Sequence, residues 1–265
     1  ETRNKIFIKM SDGKKEILLG DCLELMKDIP NGSIDMILCD LPYGTTACKW
    51  DVIIPFDKLW EQYHRIIKDN GAIVLTASQP FTTKLINSNI KMFKYEWIWE
   101  KSHPTGLFNA KYQPMKYHEN ICVFSKSKTK YNPQMWEGKL DHNKNGYHGS
   151  SEHYNNKVTL TPSKQTNNKY PKSIQKFNCP NRVGLLHPTQ KPVALFEYLI
   201  KTYTNEGDLV LDNAAGSGTT AIACLNTNRQ FIVMEKEQKY YDIILKRVGD
   251  FNKNFEPKTL FENEM

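Results

Sequence analysis

Two rhythms of apolar and polar positions alternate along the chain. Short, nearly continuous apolar runs predict strands, and apolar residues recurring every three to four positions predict helices. Glu16–Leu19 predicts a strand ending at Gly20-Asp21, with a short helix near Leu23–Lys27. Ile34–Cys39 is an almost wholly apolar strand that ends at Asp40. Phe56–Lys68 predicts a helix with Leu59, Tyr63, Ile66 and Ile67 on one face. Asn70-Gly71 breaks the pattern before a third strand, Ala72–Thr76. A helix is expected near Pro80, then strands at Lys94–Trp99 and Asn120–Phe124. From about 126 to 185 no regular rhythm is found. A helix then runs from Pro192, a residue suited to a first turn, to about Tyr203. The strand Asp208–Leu211, a Gly-rich turn, a helix over Gly218–Asn226, the strand Phe231–Met234 and a helix over Gln238–Asp250 complete the order.

Continuous apolar strands alternating with helices imply an α/β fold, its mostly parallel sheet covered on both faces. Such sheets bind ligands at the carboxyl ends of strands, so the residues just after strands carry the information. The sequence has no internal repeat.

Composition narrows the classes. The chain has 265 residues, 39% of them hydrophobic and 25% charged, enough for one α/β domain with an elaboration. It has no apolar run long enough to span a bilayer. The opening Glu1-Thr2-Arg3-Asn4 has no signal-peptide pattern, and its lack of Met suggests trimming. Cysteines at 22, 39, 48, 122, 179 and 224 form no metal-clip spacing; reduced thiols and a cytoplasmic location are expected, with no metal site. The histidines at 142, 148 and 153 lack cysteine partners and are read as surface residues.

The net charge of +7 is unevenly placed. Residues 126–186 hold ten Lys and one Arg against Glu137, Asp141 and Glu152, with Tyr131, Trp136, Tyr147, Tyr154, Tyr170 and Phe177 among them. Lysines attract phosphates and rings stack on exposed bases, so this segment can face nucleic acid. Charge alone supports a solvated Lys/Asn-rich loop equally well.

After Asp208–Leu211 comes Asp212-Asn213-Ala214-Ala215-Gly216-Ser217-Gly218-Thr219-Thr220. A G-x-G in a strand-to-helix turn lets a ligand approach the backbone, and the following helix start favours negative charge. The next strand ends at Glu235, whose carboxylate can accept both hydroxyls of a ribose. No Gly-Lys-Ser/Thr follows, which excludes a P-loop, and no third glycine completes a dinucleotide fingerprint. A ligand with adenosine and a small zwitterion, but no pyrophosphate, fits this order.

The second site is Asp40-Leu41-Pro42-Tyr43-Gly44. An aromatic amine is a poor nucleophile because its lone pair is delocalised into the ring. Acceptors that hold its N–H groups draw the nitrogen toward tetrahedral geometry. Asp40 supplies a side-chain acceptor and Leu41 a backbone carbonyl, which works with any side chain there. Pro42 stiffens the turn, and Tyr43 can stack on an extruded base. Alone, D-x-P-Y-G would be read as an ordinary turn; here it ends a strand beside a cofactor-type turn.

With both sites in hand, the chain resembles the β class of DNA amino-methyltransferases, in which the catalytic tetrapeptide precedes the cofactor loop. The family's D-P-P-Y is Asp40-Leu41-Pro42-Tyr43, and its F-x-G-x-G is Ala214-Ala215-Gly216-Ser217-Gly218. His187-Pro188-Thr189-Gln190-Lys191-Pro192 reproduces its H-P-T-Q-K-P segment, and Gly20-Asp21-Cys22 resembles its G-D-x element. The resemblance covers roughly 15–125 and 185–250. It implies a Rossmann-like fold with a seven-stranded mixed, mostly parallel sheet. The catalytic half would lie in 1–125, a target-recognition insert with neighbours Lys111 and Lys116 in 126–186, and the cofactor half in 187–265.

The resemblance also implies S-adenosylmethionine as cofactor. Asp21, Cys22, Asp40, His187, Thr189, Gln190, Lys191, Asp212, Ala214, Ala215, Gly216, Ser217, Gly218, Thr219, Thr220 and Glu235 would surround it. Asp21 would contact the adenine and Lys191 the methionine carboxylate. Double-stranded DNA is the expected substrate, with a homodimer and a cognate restriction endonuclease as further partners. Asp40 favours adenine N6 over cytosine N4, whose enzymes more often carry Ser there. The family's D-P-F is Asp212-Asn213-Ala214 here, so an aromatic wall is missing and modest cofactor affinity is expected. RNA or protein amide methylation, which usually places the cofactor loop first, and DNA binding without turnover are the rival readings. Phe81, Trp97 and Trp99 are expected in the core rather than on DNA. No cysteine is assigned a catalytic role.

Overall fold

The computed structural model describes residues 5–10, 13–46, 48, 51–139, 167–180 and 190–251. The elements run β1 (Lys5–Met10), β2 (Gly13–Leu19), α1 (Cys22–Met26), β3 (Ile34–Cys39), α2 (Phe56–Ile66), β4 (Ile67–Ala77), α3 (Phe81–Ser88), β5 (Phe93–Thr105) and β6 (Lys116–Phe124). They continue with β7 (Trp136–Glu137), β8 (Asn168–Lys169), β9 (Ile174–Phe177), α4 (Val193–Tyr203), β10 (Leu209–Asp212), α5 (Thr219–Asn226), β11 (Gln230–Glu235) and α6 (Gln238–Phe251). Contacts divide the chain into a main unit, 1–132 with 173–265, and a small unit, Pro133–Lys172, where β7 and β8 pair antiparallel.

The main unit is built on a sheet of order β1-β2-β11-β10-β3-β4-β6-β5-β9. Strands β2, β11, β10, β3 and β4 run parallel, β6 is antiparallel to β4 and β5, and β9 is parallel to β5. The expected seven strands are β2 through β5 in this order; one strand is added at each edge. β1 folds back antiparallel on β2. β9 comes from the span that showed no rhythm, since four residues at a sheet edge leave too short a pattern to read.

Alternation assigns the two faces. On one, Met36 and Leu38 of β3, Ala72 and Val74 of β4, and Phe231 and Val233 of β11 pack beneath α4, α5 and α6. On the other, Ile37 and Cys39, Ile73 and Leu75, and Ile232 and Met234 pack beneath α1, α2 and α3. All six residues of β3 are buried, as a strand covered on both faces requires. Helix α2 buries Leu59, Trp60, Tyr63 and Ile66, the spacing of an apolar stripe. It stops at Ile66 rather than Lys68, because Ile67 turns extended (φ −73°, ψ 138°) and pairs with Ile34. Phe81, Trp97 and Trp99 are core residues, as expected.

Part of the basic span 126–186 serves the main unit. Lys130 Nζ bridges Asp35 (3.2 Å) and Asp208 (2.6 Å), Lys126 pairs with Asp69 (3.3 Å), and Lys176 with Glu100 (3.4 Å). These three charges are paired within the main unit. In the small unit, Lys172 Nζ lies 4.9 Å from the Trp136 ring centre, and Trp136 Nε1 donates to the Tyr170 carbonyl (3.0 Å). Among the described residues no helix is long and apolar enough to cross a membrane.

Candidate active site

Neighbouring strand ends create the site. In register, Val210 of β10 faces Met36 of β3 and Leu211 faces Ile37, so the loops after these strands emerge side by side. Here the order reverses: β10 leads to β11 on one flank and β3 leads to β4 on the other. That is the place where open α/β sheets leave a crevice. A cavity of about 820 Å³ lies there, within the usual size of a small-molecule site. Its wall brings together Asp21, Cys22, Asp40, Leu41, Pro42, Tyr43, Gln190, Lys191, Asp212, Ala214, Ala215, Gly216, Ser217, Thr219 and Glu235. Two expected residues stand behind the wall. Gly218 has no room for a side chain, since a Cβ would meet Ile244 at 3.0 Å, and buried Thr220 donates to Asp212. His187 and Thr189, like the histidines at 142, 148 and 153, lie outside the described residues.

On the cofactor-type side, Gly216 (φ 53°) and Gly218 (φ 80°) adopt the left-handed backbone that favours glycine. Glu235 ties this turn to β11: its Oε2 accepts from Gly216 N (2.8 Å), and its Oε1 from Lys236 N and Glu237 N (2.9 Å each). Burial raises the Glu235 pKa above the ordinary carboxylate value against the pull of these donors. Asp21 caps α1 through Leu23 N (2.9 Å) and reaches the cavity from β2. Asp212 accepts from Ala214 N (3.1 Å) and from the Thr220 hydroxyl. Burial pushes its pKa up to about 6, although these bonds and one with Cys39 oppose the rise. Asn213, which replaces the family's proline, is buried; its Oδ1 accepts from Tyr63 Oη (2.5 Å), and its Nδ2 donates to Cys22 Sγ (3.5 Å).

On the catalytic-type side, Asp40 is the hub. Its Oδ1 accepts from Tyr43 Oη (2.8 Å) and from the Thr76 hydroxyl, and its Oδ2 accepts from Lys191 Nζ (2.6 Å). Lys191 also lies 3.4 Å from Glu119, which pairs with Lys101 at 3.2 Å. Burial alone would lower the Lys191 pKa, but Asp40 and Glu119 outweigh it and hold the ammonium above its usual value. The Tyr43 ring stacks on Phe81 with centroids 5.0 Å apart, and burial beside Asp40 pushes its phenol pKa well up. The Leu41 side chain is buried in the core, which leaves its backbone as the part able to serve a ligand. Asp51 braces the turn, accepting from Gly44 N (2.8 Å), Thr45 N (2.9 Å) and Thr46 N (2.7 Å).

Thr76, Glu119, Lys101 and Asp51 are site residues that sequence reasoning missed. Thr76 had a signal in principle: β3 and β4 are parallel with Cys39 opposite Leu75, so the next residue on each, Asp40 and Thr76, must be neighbours. Glu119 and Lys101 lie on β6 and β5, and only the pairing of those strands brings them to the cavity.

A family model described as DNA methylase matches residues 34–246. The chain is 27% identical to the type II methyltransferase M.HpaI of Haemophilus parainfluenzae over 252 residues, covering 90% of this chain and 76% of that one. It is 30% identical to the DNA adenine methyltransferase YhdJ of Escherichia coli (strain K12) over 254 residues, covering 88% and 82%. Among solved structures, the M1.HpyAVI–SAM complex superposes with TM-score 0.61 at 25% identity, covering 88% of this chain and 98% of that one. The PvuII cytosine-N4-specific DNA methyltransferase shares the fold, with TM-score 0.68 at 16% identity over 100% and 92% of the two chains. With the Asp40–Tyr43 turn and the G-x-G turn at one switch point, and the family match spanning both, this chain belongs to the DNA methylase family.

Proposed function

We propose that the chain methylates N6 of adenine in double-stranded DNA. The observation that carries this reading is the placement of Asp40 and Glu235 on one cavity wall: an acceptor for an amino group and an acceptor for a ribose. S-adenosylmethionine supplies, when bound, an electrophilic methyl group on its sulfonium. The cavity suits it. The left-handed Gly216 leaves the backbone open to close approach, Glu235 and Asp21 offer carboxylates, and α5 starts at Thr219 with no side-chain cap. These residues, with Gln190, would hold the cofactor.

Asp40 and the Leu41 carbonyl would accept the two N–H bonds of the base's amino group and orient its lone pair. Tyr43, backed by Phe81, would stack on the extruded base. Thr76 and Lys191 fix the Asp40 carboxylate, so that most of the rate comes from positioning. Asp rather than Ser at position 40 favours adenine, and the relative from Escherichia coli is named an adenine enzyme. The basic unit 133–172 would read the target sequence. Expression in a methylation-deficient host, followed by single-molecule sequencing, tests the reading. Modified adenine within a short sequence motif is expected. Modified cytosine N4, or no modified base with the protein expressed, would overturn it.

A further inference from the structure

Between β5 and β6 the chain leaves the cavity rim and makes a small apolar turn. Thr105 pairs with Lys116 at its base, and both residues line the cavity that holds Asp40. Just beyond Thr105, Gly106 takes φ 88° and starts a 3₁₀ turn, Leu107–Asn109. The turn is internally bonded: Asn109 N donates to the Gly106 carbonyl (3.0 Å), Ala110 N to that of Leu107 (3.1 Å), and Tyr112 N to that of Asn109 (2.9 Å). Despite this order, Phe108 is 99% exposed, Tyr112 89% and Leu107 72%. Three large apolar side chains presented to solvent within six residues of one ordered turn are available to a partner. The surroundings give the partner's sign. From Ser102 to His118 there is no Asp or Glu, whereas Lys111 and Lys116 are present.

We propose that Leu107 and Phe108 form a wedge that enters the DNA base stack and fills the space left by the extruded base. Apolar side chains driven between base steps are an established way of unstacking a duplex, and a ring recovers stacking that the departing base gives up. The location fits: the wedge rises from the rim of the cavity that would receive the base, with Lys111 beside it for the phosphates. The proposal rests on the reading that the target base leaves the duplex to reach Asp40.

The test uses a duplex carrying the motif found in the host, once fully paired and once with a mismatch at the target base, where extrusion costs less. Single-turnover methylation is measured for wild type, Phe108→Ala and Phe108→Trp. On the paired duplex Phe108→Ala is expected to lose about tenfold, equivalent to about 1.4 kcal/mol. Most of that loss should vanish on the mismatched duplex, and Phe108→Trp should retain the wild-type rate. No loss on the paired duplex, or an equal loss on both, overturns the wedge. So does a loss accompanied by a change from dimer to monomer in sedimentation, which would assign the turn to a second copy of the chain. Wild-type protein that methylates neither duplex would instead overturn the methylation reading itself.

Discussion

Replacing Asp212 by asparagine separates what this carboxylate does for the fold from what it costs. Asp212 is buried at the end of β10, with Cys39 on β3 and the Asp40 carboxylate among its electrostatic neighbours. Burial raises its pKa from 3.8 to about 6. Above pH 6 the group is ionised whether the chain is folded or not, and the folded state bears the whole cost of the buried charge. Below 3.8 it is protonated in both states and the cost is gone. In between, the folded chain holds the extra proton, so this group's contribution to stability improves as pH falls. At 1.36 kcal/mol per pH unit, the gap from 3.8 to about 6 amounts to about 3 kcal/mol at pH 8. Asparagine keeps an oxygen for Ala214 N, and the Thr220 hydroxyl can rotate to accept from the new amide. Asp212→Asn is therefore expected to unfold at higher urea than wild type at pH 8, by about 3 kcal/mol, with the difference shrinking toward zero near pH 4. Groups that titrate alike in both proteins cancel in that comparison. A variant no more stable than wild type at pH 8, or a gain of constant size across the range, would refute the reasoning.

Asp40→Ala is expected to lower methylation by about 100-fold or more while DNA binding, read by gel shift, is retained. Glu119→Gln leaves Lys101 and Lys191 short of a carboxylate and should cost about 2–3 kcal/mol in urea unfolding, less than a fully dry pair because Glu119 is 15% exposed. Calorimetric titration of the protein with S-adenosylmethionine should give a Kd above about 1 μM, reflecting the missing aromatic wall at Asn213-Ala214; sub-micromolar binding would contradict it. Lys139→Ala and Lys172→Ala, in the basic unit, should weaken DNA binding whatever its sequence, each lowering the salt slope by about 1.

Much of the fold was legible because it depends on local rhythm. β3 reads as a buried strand because six consecutive residues face two covered sides, and α2 reads as a helix because Leu59, Tyr63 and Ile66 recur on one face. The two loops of the site were legible for a related reason: each follows such a strand, and their motif letters are contiguous. What stayed hidden depends on pairing between distant segments. Thr76 reaches Asp40 through the β3–β4 register, and Glu119 reaches Lys191 through the placement of β6. Lys126 and Lys130 look like part of a basic loop until Asp69, Asp35 and Asp208 are seen to receive them. Charge read along a chain does not tell which charges have partners across it.

The single carboxylate of Asp51 has a consequence beyond bracing. It gathers three successive amides of the loop after Tyr43. These donors, together with partial burial as the opposing influence, leave the Asp51 pKa below its ordinary value. The loop is therefore clasped at every pH where the enzyme would meet its substrate. The conformational entropy of ordering residues 44–46 is surrendered once, during folding, and not again at each turnover. Amides at 44, 45 and 46 should then exchange with deuterium slowly for a surface loop, an isotopic record of a turn already ordered before any ligand arrives.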